Sequence, residues 1–226
     1  MGRPSLPPEK IRENRISIIR GAMEMIRESG ITSVSARALG SRIGMNSAMI
    51  YRFFRDIDEV VLYACVHDLQ DYSAEMDAAF RDLDRSDGEV TDSDLYIISW
   101  QLFCRHAFSS PDEYTRLFFS RHSTDLSDII KEYYDLFPPE AGDLDDDYIL
   151  RAMYMTSDLR KRNLLLLIPV LESRKTEQEI IMINDMTISY FYSLLLQLSE
   201  AEAGHGITPE IQTERMLMAC RYTTDQ

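Results

Sequence analysis

Residues 31–61 read ITSVSARALGSRIGMNSAMIYRFFRDIDEVV. The stretch describes two short helices joined by a tight turn, then the entry into a longer helix. Ser35 is placed to cap the first, its hydroxyl accepting an orphan backbone N–H. Val34 and Leu39 then fall at the spacing of a hydrophobic staple. Ala36 to Ile43 is compatible with helix, and Gly44 follows where a left-handed residue favours glycine. The same grammar repeats: Asn46 is a cap, Met45 and Ile50 a second staple, and Ser47 to Phe53 the second helix. A third start comes at Asp56, with Glu59 three residues on. Two short helices around a glycine turn form a helix-turn-helix, whose second helix enters the DNA major groove.

These residues carry a resemblance. Ser35, Leu39-Gly40, Ile43-Gly44-Met45, Asn46, Ile50-Tyr51 and Phe54 resemble, in type and spacing, the DNA-binding signature of the TetR family of transcriptional regulators. Gly40 stands where the family commonly has Ala. Ile57 replaces a Lys that touches phosphate, and Met49 a small or hydroxyl residue. The resemblance implies a regulator, expected to be a repressor, that binds double-stranded operator DNA and is released by a small-molecule ligand. It also implies that Tyr51 binds phosphate and that the helix after Asp56 links head to body.

The rest of the chain reads as helix throughout, with no alternating strand signal. The first helix begins at Pro8 or Glu9 and ends at Gly30, with Ile16, Ile19, Met23 and Ile26 on one face. Helices are expected over Asp56 to Arg81, Ser93 to Phe108, Asp112 to Arg121, Asp125 to Phe137, Asp147 to Leu171 and Thr176 to Leu198, and a last one from Pro209. Ser86-Asp87-Gly88 and Gly204 with Gly206 mark turns. The expected architecture is all-α. A three-helix head (residues 1–55) carries the helix-turn-helix, and a larger helical body (residues 56–226) serves ligand binding and dimerisation.

Charge divides the chain the same way. The net charge is −14, but residues 1–55 hold ten basic and four acidic residues, a net of +6, leaving −20 for the rest. A basic segment on an acidic protein is what nucleic-acid contact at one end predicts. Arg3, in the extended Gly-Arg-Pro arm, suits a narrow minor groove. Ser47, Ala48 and Met49 lie where a recognition helix reaches base edges. Arg37, Arg52 and the Ser35 hydroxyl are expected on phosphates, with Asn46 beside them at the helix start. Arg160-Lys161-Arg162 is a lone basic run, read as solvated surface.

A head of this kind reads few base pairs, so a homodimer is expected. The wide apolar stripe of Ile183, Thr187, Phe191, Leu194 and Leu198, together with the last helix, is its expected interface. Trp100, Phe103, Cys104, Phe118 and Tyr154 recur at helical spacings that could line a largely apolar ligand pocket or fill an ordinary core. The pocket reading rests on the resemblance more than on the spacing.

Other chemistry finds little support. No GxSxG, Walker loop, GxGxxG or paired-histidine zinc motif occurs, so neither an enzyme nor a cofactor is expected. Asp143, Asp145, Asp146 and Asp147 lack the Gly and terminal Glu of a calcium loop, and no metal is expected. His106 reads as a hydrogen-bonded core histidine. Cys65, Cys104 and Cys220 are far apart, which suits a reducing cytoplasm. No long apolar run or leader pattern points to a membrane. The alternatives carried forward are a helical enzyme and an adaptor with an incidental helix-turn-helix.

Overall fold

The computed structural model describes residues 6–84, 90–138, 158–201 and 206–225. Among them every regular element is a helix. Arg3, the acidic stretch 143–147, Tyr154 and the turns at 86–88 and 204 lie outside the described residues. The chain forms two compact units, Met1–His67 with Asp128–Pro139, and Asp68–Ser127 with Glu140–Gln226.

In the first unit, α1 (Pro8–Ser29) opens with proline at its first position and closes at Gly30, whose φ is 75°. Proline costs nothing at that start, because the N–H it lacks would be an orphan. The buried face of α1 is Ile18, Ile19, Ala22 and Met25, while Ile16, Met23 and Ile26 are only half-buried. The expected stripe is therefore rotated, and Gly21 supplies the reason. A Cβ there would lie 2.5 Å from Ile43 Cγ2 and 3.0 Å from Leu39 Cδ1. The small Gly21 side is where α2 (Ala36–Arg42) approaches, so the helix turns its smallest residues to its neighbour. Arg42 closes the other edge, forking onto Glu28 with two 2.7 Å bonds and reaching Glu24 at 3.1 Å.

After α3 (Ser47–Ile50) comes α4 (Ile57–Asp84), and the division between the units falls within it at His67. Glu59 N–H donates to Asp56 Oδ1 at 2.8 Å, so the start expected at Asp56 is capped. From α7 (Leu126–Leu136), residues 128 onward belong to the first unit. Arg12 donates to the Asp135 and Leu136 carbonyls at 2.6 and 3.2 Å. A cation there satisfies the orphan acceptors at a helix C-terminus. Arg15 sits beneath, donating to Phe53 O at 2.9 Å and pairing with Glu132 at 3.0 Å. Its guanidinium lies 4.6 Å from the Phe54 ring and 5.2 Å from that of Tyr63. The Tyr63 hydroxyl donates to the same Glu132. Burial and then that bond to Glu132 push the phenol far above its ordinary range.

The second unit is built on α5 (Asp92–Ser109), α6 (Pro111–Phe119), α8 (Leu159–Leu171), α9 (Glu177–Ser199) and α10 (Pro209–Asp225), with the remainder of α4. Reciprocal capping boxes start α5 at Thr91 with Asp94 and α9 at Thr176 with Glu179. The expected helix from Asp147 is corrected at Asp158. That residue is extended, and its carboxylate caps Arg160 N–H and Lys161 N–H, so α8 starts after it. Helix α5 packs on α10, α8 and α6, and α9 on α8, α6 and α10.

Phe191 is the hub of this core. It stacks on Phe108 at 5.5 Å and meets Phe103 at 5.2 Å and Trp100 at 5.5 Å. The residues expected at a dimer seam therefore divide. Thr187, Phe191 and Leu194 are buried within their own subunit, while Ile183 and Leu198 are half-covered. The large apolar side chains of this unit left in solvent are Ile168 on α8, Ile181, Met182 and Met186 on α9, and Ile211, Met218 and Tyr222 on α10. Among the described residues, no helix is long and apolar enough to cross a membrane.

Candidate nucleic-acid interface and body cavity

The helix-turn-helix forms by local hydrogen bonding. Ser35 accepts from Ala38 N–H at 3.2 Å and Asn46 from Ala48 N–H at 2.9 Å. Gly44, at φ 68°, makes the turn. Met45 N–H then donates to Gly40 O at 2.8 Å, folding the turn back onto α2. A Cβ on Gly40 would lie 2.5 Å from Met45 O and 3.2 Å from Ser47 N. Gly40 is thus the close contact of the motif, with no room for alanine unless the turn shifts.

The second helix is shorter than the sequence suggests. Regular α3 stops at Ile50, and 51–53 continue as turn, with Arg52 N–H and Phe53 N–H donating three residues back to Met49 O and Ile50 O. This tightening presents Tyr51, 53% exposed, while Ile50 and Phe54 face the interior. Ser35, Arg37, Asn46, Ala48 and Arg52 are also exposed, and Ser47 and Met49 half-buried. All but Arg52, which follows in the turn, lie on the two helices and their caps.

Five arginines of the head divide by their partners. Arg12, Arg15 and Arg42 are spent on the fold, on helix-end carbonyls, Glu132, Glu24 and Glu28. Arg37 and Arg52 make no ion pair with a described residue, and Arg52 Nη1 touches only Met49 Sδ at 3.5 Å.

The body encloses a cavity of about 30 Å³ lined by Tyr72, Ser99, Trp100, Phe103, Leu159, Arg162, Asn163 and Leu166. Of the predicted pocket residues, Trp100 and Phe103 line it. Cys104 is buried outside the lining, its thiol pushed up by burial. Phe118 also stands outside it, 5.7 Å from Phe103. Trp100 Nε1 donates to Asn163 Oδ1 at 2.9 Å, and Asn163 Nδ2 to Asn184 Oδ1 at 2.8 Å, a buried polar string joining α5, α8 and α9.

Arg162 corrects the reading of the basic run. Arg160 is exposed and pairs with Asp185 at 2.9 Å, and Lys161 is exposed, but Arg162 is only 3% exposed. Successive helical residues point about 100° apart, so the third of the run turns inward. His106 also differs from a closed core histidine. It is half-buried, and its Nε2 lies 2.6 Å from Glu75, with Arg105 on the same carboxylate. These groups border a second, polar cavity of about 330 Å³ with Asp68, Asp71 and Tyr114.

Residues 18–64 match the family model described as bacterial regulatory proteins, tetR family. The match covers the head, which is similar to the DNA-binding domain of that family. Solved structures extend the likeness of fold over the whole chain. Thermus thermophilus FadR, a TetR-family transcriptional repressor in complex with lauroyl-CoA, is 12% identical with a TM-score of 0.56, over 91% of this chain and 92% of that one. RolR in complex with resorcinol is 13% identical with a TM-score of 0.58, over 97% of each chain. A TetR/AcrR-family regulator from Thermobifida fusca is 12% identical with a TM-score of 0.52, over 92% and 96%. At these identities only the TetR fold is shared. No curated protein matches the sequence.

Proposed function

We propose that the chain is a TetR-type repressor that binds operator DNA as a homodimer in the cytoplasm and is released by a small molecule held in its body. The observation that carries this reading is the exposed rim of the helix-turn-helix. It gathers two arginines without an ion pair among the described residues, the Tyr51 hydroxyl and the start of α3 on an otherwise acidic protein. Arg37, Tyr51, Arg52 and the Ser35 hydroxyl hold phosphates, which position the head without reading sequence. Asn46, Ser47, Ala48 and Met49 face base edges.

The exposed methionines of α9 and α10 support a dimer seam, because apolar surface of this kind gains by burial against a second copy. Met182 and Met186 are one helical turn apart, as are Met218 and Tyr222, so each helix offers a continuous strip. A ligand then acts through a difference in affinity between DNA-competent and DNA-incompetent states. A near-complete switch needs about 5.5 kcal/mol of such difference.

The test is selection of duplexes from a random pool, followed by light scattering of free and DNA-bound protein. The reading expects a palindromic site and a dimer in both samples, and M186D with M218D giving monomers that lose the site. A monomeric wild type, or no selected sequence, refutes it.

A further inference from the structure

The cavity between α5 and α8 is walled by apolar rings and leucines, yet one of its polar groups lacks a partner and another lacks a counter-charge among the described residues. The Ser99 hydroxyl is buried without a hydrogen-bond partner. The Arg162 guanidinium forms no ion pair with any described residue. Around it stand the rings of Phe118 at 5.4 Å and of Tyr72 and Phe103 at 5.8 Å each. Rings attract a cation through their faces but do not neutralise it, and the one hydrogen bond among them runs from Arg162 to the Tyr72 hydroxyl, which carries no charge. Buried arginines are ordinarily completed by a carboxylate or phosphate. Among the described residues no acidic side chain lines this cavity, although the chain beyond residue 55 carries a net charge of −20.

We infer that the cavity receives the carboxylate head of a monocarboxylic acid with an apolar remainder, held by Arg162 and Ser99. This rests on the reading of the body as a ligand-binding unit. The chemistry selects a carboxylate over a phosphate. A single guanidinium balances one negative charge, its planar fork matches two coplanar oxygens, and Ser99 O–H supplies a further donor. Tyr72 adds a phenol that burial pushes up to about 12, so it stays protonated and can donate. Trp100, Phe103, Leu159 and Leu166 offer the apolar remainder its contacts. The Trp100–Asn163–Asn184 string fixes the residue next to Arg162, so the fork is held ready before ligand arrives.

Trp100 is the chain's single tryptophan and lines the cavity, so its emission reports occupancy without any DNA. The probes are phenylacetate and octanoate, each against its neutral amide, with inorganic phosphate as the anion alone. At least one acid is expected to change the emission saturably, its amide binding about tenfold more weakly or worse, and phosphate not at all. R162M, with an unchanged circular dichroism spectrum, is expected to abolish the acid response. S99A is expected to weaken it about fivefold, and it carries the test should R162M fail to fold. Amides binding as well as acids, phosphate binding as well as acids, either variant keeping the wild-type midpoint, or no acid altering the emission would each overturn the inference. A parallel titration of bound DNA separates the two claims. An acid that occupies the cavity without loosening DNA supports the site and refutes release by ligand. Release by neutral compounds alone does the reverse.

Discussion

The head and the body each enclose an arginine among aromatic rings, and they complete it differently. In the head, Arg15 lies over Phe54 and Tyr63, donates to the Phe53 carbonyl and has its charge balanced by Glu132 at 3.0 Å, although its Nε finds no acceptor. In the body, Arg162 lies among Phe118, Tyr72 and Phe103 and meets no carboxylate among the described residues. A buried charge that its own chain neutralises is part of the fold. One that its own chain leaves open, beside a cavity and an unpaired hydroxyl, is disposed to take its counter-ion from outside. The same residue type therefore reads as structure in one unit and as recognition in the other.

The largest expected effect tests whether the body is otherwise a closed core. Phe191→Ala removes a fully buried ring with aromatic neighbours on several sides and should cost about 3–5 kcal/mol. Urea unfolding at two protein concentrations checks it. A loss that vanishes on raising the concentration would return Phe191 to a subunit seam. Next comes Glu132→Ala, which strands Arg15 and the Tyr63 hydroxyl. A broken buried pair costs about 3–5 kcal/mol, and half-exposure of Glu132 reduces this to about 2 kcal/mol. Urea unfolding of this variant should register that loss, and an unchanged midpoint would erase the contrast between the two arginines.

R162M is the opposite case. Without added acid it should shift stability by about 1 kcal/mol or less, because no carboxylate is left stranded. A melting temperature that falls as far as that of the Glu132 variant would make Arg162 structural. The smallest effect is expected at the surface. Tyr51→Phe should weaken DNA binding by about 1 kcal/mol, equally for every selected sequence, as measured by anisotropy across the selected pool. A changed sequence preference would place Tyr51 on bases instead.

The head was legible because its signals are local. The caps at Ser35 and Asn46 and the glycines at 30 and 44 act within a few residues, and each stands where the spacing predicts. The face of α1 was misjudged because counting apolar residues passes over Gly21, whose missing side chain sets the approach of α2. The stripe of α9 was read as apolar, which it is, but periodicity does not say whether it meets its own body or a second copy. Phe191 and Leu194 went to the body, and the flanking Met182 and Met186 remained in solvent. Nor did the sequence attach residues 128–138 to the head. That depends on long-range partners such as Arg12 with the α7 carbonyls and Arg15 with Glu132. Arg162 was hidden by its neighbours, since composition treats Arg160-Lys161-Arg162 as one run while a helix splits it between solvent and core.

The most direct measurement of the whole account is the affinity of the protein for its selected duplex as a function of salt. Each neutralised phosphate contributes a log–log slope of about −0.9, so Arg37 and Arg52 from two heads predict about −4, falling to about −2 when Arg52 is replaced by Gln. A slope near zero, or one that R52Q leaves unchanged, would contradict a head anchored on phosphates by these arginines.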